Sequence, residues 1–320
     1  MSIRFAARTR PGTMVSTWLN ALVSGTAPSG AAYFGGGGAS GDTATVDKFA
    51  FPADSRTTLG TGLSAARNDL AAMANSGTAG YFGGGSTSAV VTTVDKFAFS
   101  DDSRTTLGTG LSVAAKNLTA MANSGTAGYF AGGRNVSNVK LTTVDKFAFP
   151  GDGRSTLGTG LATAVWMPFA MANSGTAGYV AGGFGSRITT VNKFAFSDDG
   201  RTTLGTGLST ATYGGAGMAN SGTAGYFALG NGIVDTVDKF AFADDSRTTL
   251  STGMSVARYA FAGAANSGTA GYFAGGYNSG YAAQTVVDKF AFSDDSRSTL
   301  GTGLSAGTVE NAGMADCLTL

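Results

Sequence analysis

Six copies of one pattern, Val-Asp/Asn-Lys-Phe-Ala-Phe, govern this chain, with the second residue at Asp47, Asp95, Asp145, Asn192, Asp238 and Asp288. The steps between them are 48, 50, 47, 46 and 50 residues. A period of roughly 40–50 residues built from short β-type segments is that of propeller blades. A single unit of this kind cannot bury both its faces, so neighbours must stack and the last must meet the first.

The copy at Thr93–Gly133 reads as four pieces. Thr93–Phe99 alternates, with Val94, Lys96 and Ala98 on one side and Asp95, Phe97 and Phe99 on the other, which predicts a strand. Ser100–Arg104 is a turn of residues that bond their own backbone, and Thr105–Leu111 follows as an outer strand weakened by two glycines. Ala120–Ala122 predicts a small-residue strand and Ser124–Ala127 a turn. Gly128–Phe130 is then a fourth strand, ending at Gly132-Gly133. Four short antiparallel strands per repeat make the fold class all-β, a β-propeller with four-stranded blades.

The aromatic strand recurs at Tyr33, Tyr81, Tyr129, Tyr179, Tyr226 and Tyr272, so six blades are expected. A seventh would have to come from residues 1–30, which hold no copy of the pattern. The tail Ala312–Leu320 aligns with Ala216–Ala224. The expected closure therefore sets the C-terminal strand innermost in the blade that begins near Ala32. Leu19–Val23 competes for that slot, because Ser24–Ala27 repeats the turn that follows it.

Residues 31–320 thus form the propeller domain, and residues 1–30 stand apart as an N-terminal arm. The arm carries Arg4, Phe5, Arg8, Arg10 and Trp18, and no acid precedes Asp42. It reads as an attachment segment, as a lead-in packed on the first blade, or as a signal peptide whose apolar run Ser16, Thr17, Trp18 and Asn20 interrupt.

Composition limits the chemistry. The 320 residues contain no histidine, and Glu310 and Cys317 are the only residues of their types. Ser-His-Asp and Cys-His catalysis and histidine-ligated metals are excluded, no internal disulfide can form, and acid–base chemistry has few carriers. The expectation is a protein that is not an enzyme and takes no cofactor or metal. The paired aspartates Asp101-Asp102, Asp198-Asp199, Asp244-Asp245 and Asp294-Asp295 lack the spacing that wraps calcium and read as turn residues. The arginines that follow, Arg56, Arg104, Arg154, Arg201, Arg247 and Arg297, read as blade-to-blade ion pairs. A net charge of +1 gives no bulk attraction to nucleic acid. No apolar stretch reaches the roughly 18 residues that signal a membrane-spanning helix.

The six copies differ from one another in two segments. One follows the glycine doublet, as in Arg134–Leu141, and the other precedes the small-residue strand, as in Val113–Leu118. In an up-and-down blade both connections emerge on one face, and the two constant turns emerge on the other. Binding residues favour loops held on a rigid scaffold, so the variable face is the candidate recognition surface. It would present Arg67, Asn68, Lys116, Arg134, Asn138, Trp166, Phe169, Phe184, Arg187, Tyr213, Tyr259, Tyr277 and Tyr281. Aromatics mixed with Asn and Arg suit sugars or protein partners.

With the small-residue strand innermost, the glycine doublet closes the second strand and the Val-Asp-Lys-Phe-Ala-Phe strand is third. That order resembles kelch-type blades, and the Ser-Asp-Asp-Ser-Arg turn is similar to the Asp-box hairpin of sialidase-like propellers. The repeat style, TVDKFAFSDDSRTTLGTGLS with NSGTAGYFAGG, resembles kelch-like repeat proteins of bacteriophages and environmental bacteria. That resemblance implies a virion surface protein: a tail fibre, tail tip or capsid decoration. Its partners would be other virion proteins through residues 1–30, a host-surface glycan or protein, and a further copy of the chain. A bacterial protein-interaction propeller and a glycan hydrolase of sialidase-like architecture are the alternatives.

Overall fold

The computed structural model describes residues 30–39 and 41–317. The arm with Arg4, Phe5, Arg8, Arg10 and Trp18 lies outside the described residues. The described residues form 24 strands and no helix, arranged as six antiparallel four-stranded sheets in a ring. Blade 1 combines β1 (Ala31–Gly35), β2 (Val46–Ala50) and β3 (Ser55–Thr58) with the last strand, β24 (Ala312–Asp316), in the order β24-β1-β2-β3. Blade 2 is β4 (Ala71–Asn75), β5 (Ala79–Gly83), β6 (Val94–Ala98) and β7 (Arg104–Thr106). Blades 3 to 6 repeat this order behind the inner strands β8 (Thr119–Asn123), β12 (Phe169–Asn173), β16 (Ala216–Asn220) and β20 (Ala262–Asn266). The inner strands meet each neighbour in turn, β24 with β4 included, so the ring is closed. The C-terminal strand holds the innermost slot of blade 1, with Ala32 opposite Ala315.

The expected outer strand Thr105–Leu111 is shorter than its sequence suggests: only Arg104–Thr106 pairs with β6. Leu107 N–H still bonds Val94 O at 2.9 Å and Leu111 N–H bonds Thr92 O at 2.8 Å, so the glycines between them form a bend off the sheet edge.

Each inner strand alternates. In β4, Ala71, Met73 and Asn75 are buried between blades, while Ala72 and Ala74 face the axis. Only alanine or glycine occupies the axial positions, because six strands converge there. A Cβ on Gly217 would stand 2.1 Å from Ala170 O. The buried methionines fill the seams between blades. Met73 lies over Gly128, Met121 over Gly178, Met171 over Gly225, Met218 over Gly271 and Met314 over Gly80, each sulfur 2.0–2.2 Å from where a Cβ would stand on the glycine. At the sixth seam Ala264 replaces the methionine and Ala32 replaces the glycine, and both are buried in one cluster.

The constant turns knit blade to blade. The last aspartate of each outer turn, the second of the doublet in four blades and the single Asp54 and Asp152 in the other two, has a positive φ and takes two bonds from the preceding blade. Asp102 accepts the Tyr33 hydroxyl at 2.8 Å and pairs with Lys48 at 2.8 Å. Tyr81 and Lys96 meet Asp152 in the same way, Tyr129 and Lys146 meet Asp199, and Tyr179 and Lys193 meet Asp245. Tyr226 and Lys239 meet Asp295, and Tyr272 with Lys289 closes the circle on Asp54. Burial and the adjacent carboxylate hold each tyrosine hydroxyl far above its usual pKa, so it is always a donor. The first aspartate of the doublet accepts from its own turn, as Asp101 does from Ser103 N–H at 3.0 Å. Both aspartates are therefore structural. The aspartate nearest a recurring arginine is in its own blade, not across the seam: Arg104 lies 3.7 Å from Asp95 and Arg154 3.8 Å from Asp145, while Arg56 and Arg247 reach across only to backbone carbonyls, Gly303 O and Gly207 O. The ion pair that recurs at every seam is made by lysine instead.

Candidate functional site

The two variable segments come together on one face. The residue after each glycine doublet bridges to the segment that leads into the same blade's inner strand: Asn68 to Ser86, Lys116 to Arg134, Trp166 to Phe184 and Tyr259 to Tyr277. Asn231 N–H donates to Tyr213 O at 2.8 Å, and Gly38 N–H to Val309 O at 3.0 Å, completing the set. One backbone plan thus carries six different side-chain pairs around the axis.

Inside these pairs sits a hoop that the sequence reading did not single out as a unit. Asp69, Asn117, Met167, Gly214, Ala260 and Glu310 occupy equivalent positions, all with φ between 53 and 65°. Each donates its backbone N–H to the carbonyl of its counterpart in the preceding blade, at 2.7–3.0 Å, and Asp69 N–H to Glu310 O closes the circle. A left-handed backbone costs a non-glycine residue roughly 1–2 kcal/mol, so five of the six positions hold local strain against this closed set of bonds. The side chains divide the hoop. Glu310, Asp69 and Asn117 make one polar arc, and Met167, Gly214 and Ala260 an apolar one, around a cavity of about 70 Å³. Beneath it the axial channel widens to about 690 Å³ at the constant face, where Ser76, Ser124, Ser174, Ser221, Ser267 and Cys317 line it. Burial pushes the Cys317 thiol up to about 11.

On the polar arc, burial and the facing Asp69 carboxylate push the Glu310 carboxyl up to about 7. Burial also raises Asp69, opposed by Lys116, Arg134, and hydrogen bonds from Glu310 and Asn117. The two carboxyls therefore share a proton, with the charge kept on Asp69, 3.8 Å from the Lys116 ammonium. Arg134 Nε donates to Asn117 Oδ1 at 2.9 Å, and its guanidinium lies 4.1 Å from the centre of the Trp166 ring. From there an aromatic arc runs on. Trp166 meets Phe184 edge-on at 5.2 Å, and Tyr213 stands 5.0 Å from Phe184 and 6.3 Å from Trp166. Tyr259 and Tyr277 sit 5.5 Å apart, and Tyr281, 70% exposed, lies 6.5 Å beyond Tyr277. Asn138 and Arg187 are exposed further out, each with a positive φ, and Arg187 reaches the Tyr213 ring at 5.9 Å. Asn68 is half-buried beside Asp69.

Two expected face residues are not on it. Arg67 is fully buried and pairs with Asp95 at 3.0 Å, because the segment before the inner strand dips into the seam before it reaches the face. Phe169 begins β12, is 2% exposed, and packs edge-on against Phe227 at 5.3 Å. The signal for the hoop was present in the copies. Its members differ in all six and lie one residue after the named rim positions Asn68, Lys116, Trp166, Tyr213 and Tyr259. Among the described residues no three His, Cys, Asp or Glu side chains gather as a metal site would require.

Fold and face together define a class: a six-bladed β-propeller with one patterned and one uniform face. Among solved structures, "Structure of YjhT" is similar to it, with a TM-score of 0.67 and 14% sequence identity over 84% of this chain and 97% of that one. At that identity the likeness is one of fold. No family model and no curated protein sequence matches the chain.

Proposed function

We propose that this chain is a non-enzymatic recognition propeller of kelch-like type on a bacteriophage virion, as a tail fibre, tail tip or capsid decoration protein. Its variable face meets a host-surface glycan or protein, and residues 1–30 fasten it to other virion proteins. One observation carries the reading. The backbone of the variable face repeats six times, yet the paired side chains on it do not repeat, while the opposite face keeps its turns nearly constant. Packing alone would allow the same pairs in every blade. The arc of Trp166, Phe184, Tyr213, Tyr259 and Tyr277 beside hydrogen-bonding carboxyls suits sugar rings, whose faces stack on aromatics while their hydroxyls need acceptors. The virion placement is supported by the repeat style and by the basic arm.

The Asp69–Glu310 pair is what favours glycan hydrolysis as a second reading. Asp69 is already engaged by the Asn117 amide and lies 3.8 Å from the Lys116 ammonium, a carboxylate held by its neighbours rather than free to attack or to activate a water, which speaks for a binding role. Immunogold electron microscopy and mass spectrometry of purified particles test the proposal. Label on the particle surface is expected; absence of the protein from particles refutes the virion role. Glycan cleavage that Glu310→Gln abolishes would refute the non-enzymatic one.

A further inference from the structure

The third strand of each blade buries a polar residue in the seam: Asp47, Asp95, Asp145, Asn192, Asp238 or Asp288. At two seams an arginine completes it. Arg67 Nη2 lies 3.0 Å from Asp95 Oδ2 and donates to Phe82 O at 3.1 Å. Arg258 Nη2 lies 2.9 Å from Asp288 Oδ2 and donates to Phe273 O at 3.0 Å. Both arginines are fully buried. In blade 1 the equivalent residue is Thr308, and the acceptors, Asp47 and the Phe34 carbonyl, are the counterparts of those pairs.

Asp47 is 4% exposed and accepts from Thr58 Oγ1 at 2.6 Å, Ser305 N–H at 2.7 Å and Ser305 Oγ at 2.8 Å. Arg56, whose counterparts in other blades approach this aspartate, donates instead to Gly303 O at 3.2 Å. Among the described residues no Lys or Arg nitrogen comes within 4.0 Å of Asp47, whereas Asp95, Asp145, Asp238 and Asp288 each have one. The place of the missing arginine is a cavity of about 140 Å³ lined by Phe34, Asp47, Thr308 and Asn311, with an exposed lip at Ala39, Gly41 and Ala306. Asn311 is 7% exposed, and among the described residues neither its Oδ1 nor its Nδ2 has a partner. A buried amide in that state is costly unless something in the cavity bonds it.

We propose that this cavity binds a guanidinium group carried by a ligand, either a small alkylguanidine or an arginine side chain of a partner. The planar fork would donate to Asp47 and the Phe34 carbonyl as Arg67 and Arg258 do in their blades, with Asn311 Oδ1 as a further acceptor. A flat bidentate donor fits a carboxylate set that a round ammonium ion matches poorly. The site lies at the seam between blades 6 and 1, apart from the aromatic arc, and does not rest on the function proposed above.

Calorimetry on the full chain with methylguanidinium, and with methylammonium as control, tests the proposal. Saturable binding of methylguanidinium is expected, at least tenfold tighter than methylammonium. Thr308→Arg, which supplies the group internally, should weaken it at least tenfold. Agmatine and a blocked Gly-Arg-Gly peptide distinguish the source: tighter agmatine indicates a small molecule, a tighter peptide a partner's arginine. Absence of saturable binding by the wild type, or equal binding by Thr308→Arg, overturns the proposal. Should that variant fail to fold, wild-type crystals soaked in methylguanidinium decide it: density between Asp47 and the Phe34 carbonyl supports the site, and an unchanged cavity refutes it.

Discussion

The seam between the sixth and first blades offers a quantitative test of how the ring packs. At five seams a methionine sulfur lies 2.0–2.2 Å from the position a Cβ would take on the facing glycine, so methionine and a methyl group cannot coexist there. The sixth seam holds Ala264 against Ala32, the reverse allocation of volume. Ala264→Met alone should place a thioether against the Ala32 methyl and cost about 1–3 kcal/mol by overpacking. Ala32→Gly alone removes one buried methyl, worth about 0.8 kcal/mol, and adds about 0.5–1 kcal/mol for glycine in a strand. The double variant recreates the arrangement of the other five seams and should return to within about 1 kcal/mol of the wild type. The single losses together come to about 2–5 kcal/mol, so the coupling between the two sites would be at least about 1 kcal/mol, within or above the range for residues in direct contact. Urea unfolding of the four proteins, followed by far-ultraviolet circular dichroism, measures the cycle. Additive losses in the double variant would refute the exchange of volume across the seam.

Two further predictions concern charge. Asp245→Ala removes the acceptor of both Tyr179 and Lys193 and should cost about 2–4 kcal/mol, since a buried hydroxyl loses a charged partner and a half-buried ion pair is broken; the adjacent Asp244→Ala, which serves only its own exposed turn, should shift the midpoint far less. Urea midpoints of the two variants check the contrast. Glu310, raised from 4.5 to about 7, favours the folded state fully below pH 4.5, and that contribution is lost as pH rises through 7. Glu310→Gln should therefore gain on the wild type between pH 4.5 and 8, by at most about 3.4 kcal/mol at 1.36 kcal/mol per tenfold, less what Asp69 shares. An unchanged difference across that range, in unfolding free energies measured at each pH, would contradict the shared proton.

The ring was legible in the sequence because its period, its small inner strand and the likeness of Ala312–Leu320 to Ala216–Ala224 all follow from blade geometry. The face was legible too, since chain direction alone places both variable segments on one side. What stayed hidden lies where variation does not mean exposure. Arg67 changes from copy to copy because its seam holds a charge pair that other seams replace with alanine, valine or threonine. Phe169 changes because the first residue of β12 packs into a local core. The hoop was only half legible: its six positions stand out by differing between copies, but its bonds join backbone amides and carbonyls 46–50 positions apart, with Asp69 to Glu310 closing the circle, and no side-chain type records those bonds. The volume exchange between Ala264 and Ala32 was written in the repeats, but only the strand register makes those two positions neighbours.

The central claim is that recognition belongs to the variable face. Its most direct test is binding of the full chain to host cells and to a glycan array, comparing wild type with two variants. Trp166→Ala combined with Tyr259→Ala should fold normally and lose at least tenfold in binding. Ser124→Ala combined with Ser174→Ala, on the constant face, should bind as the wild type does. If the constant-face variant loses binding while the Trp166 and Tyr259 variant keeps it, the assignment of the two faces is wrong.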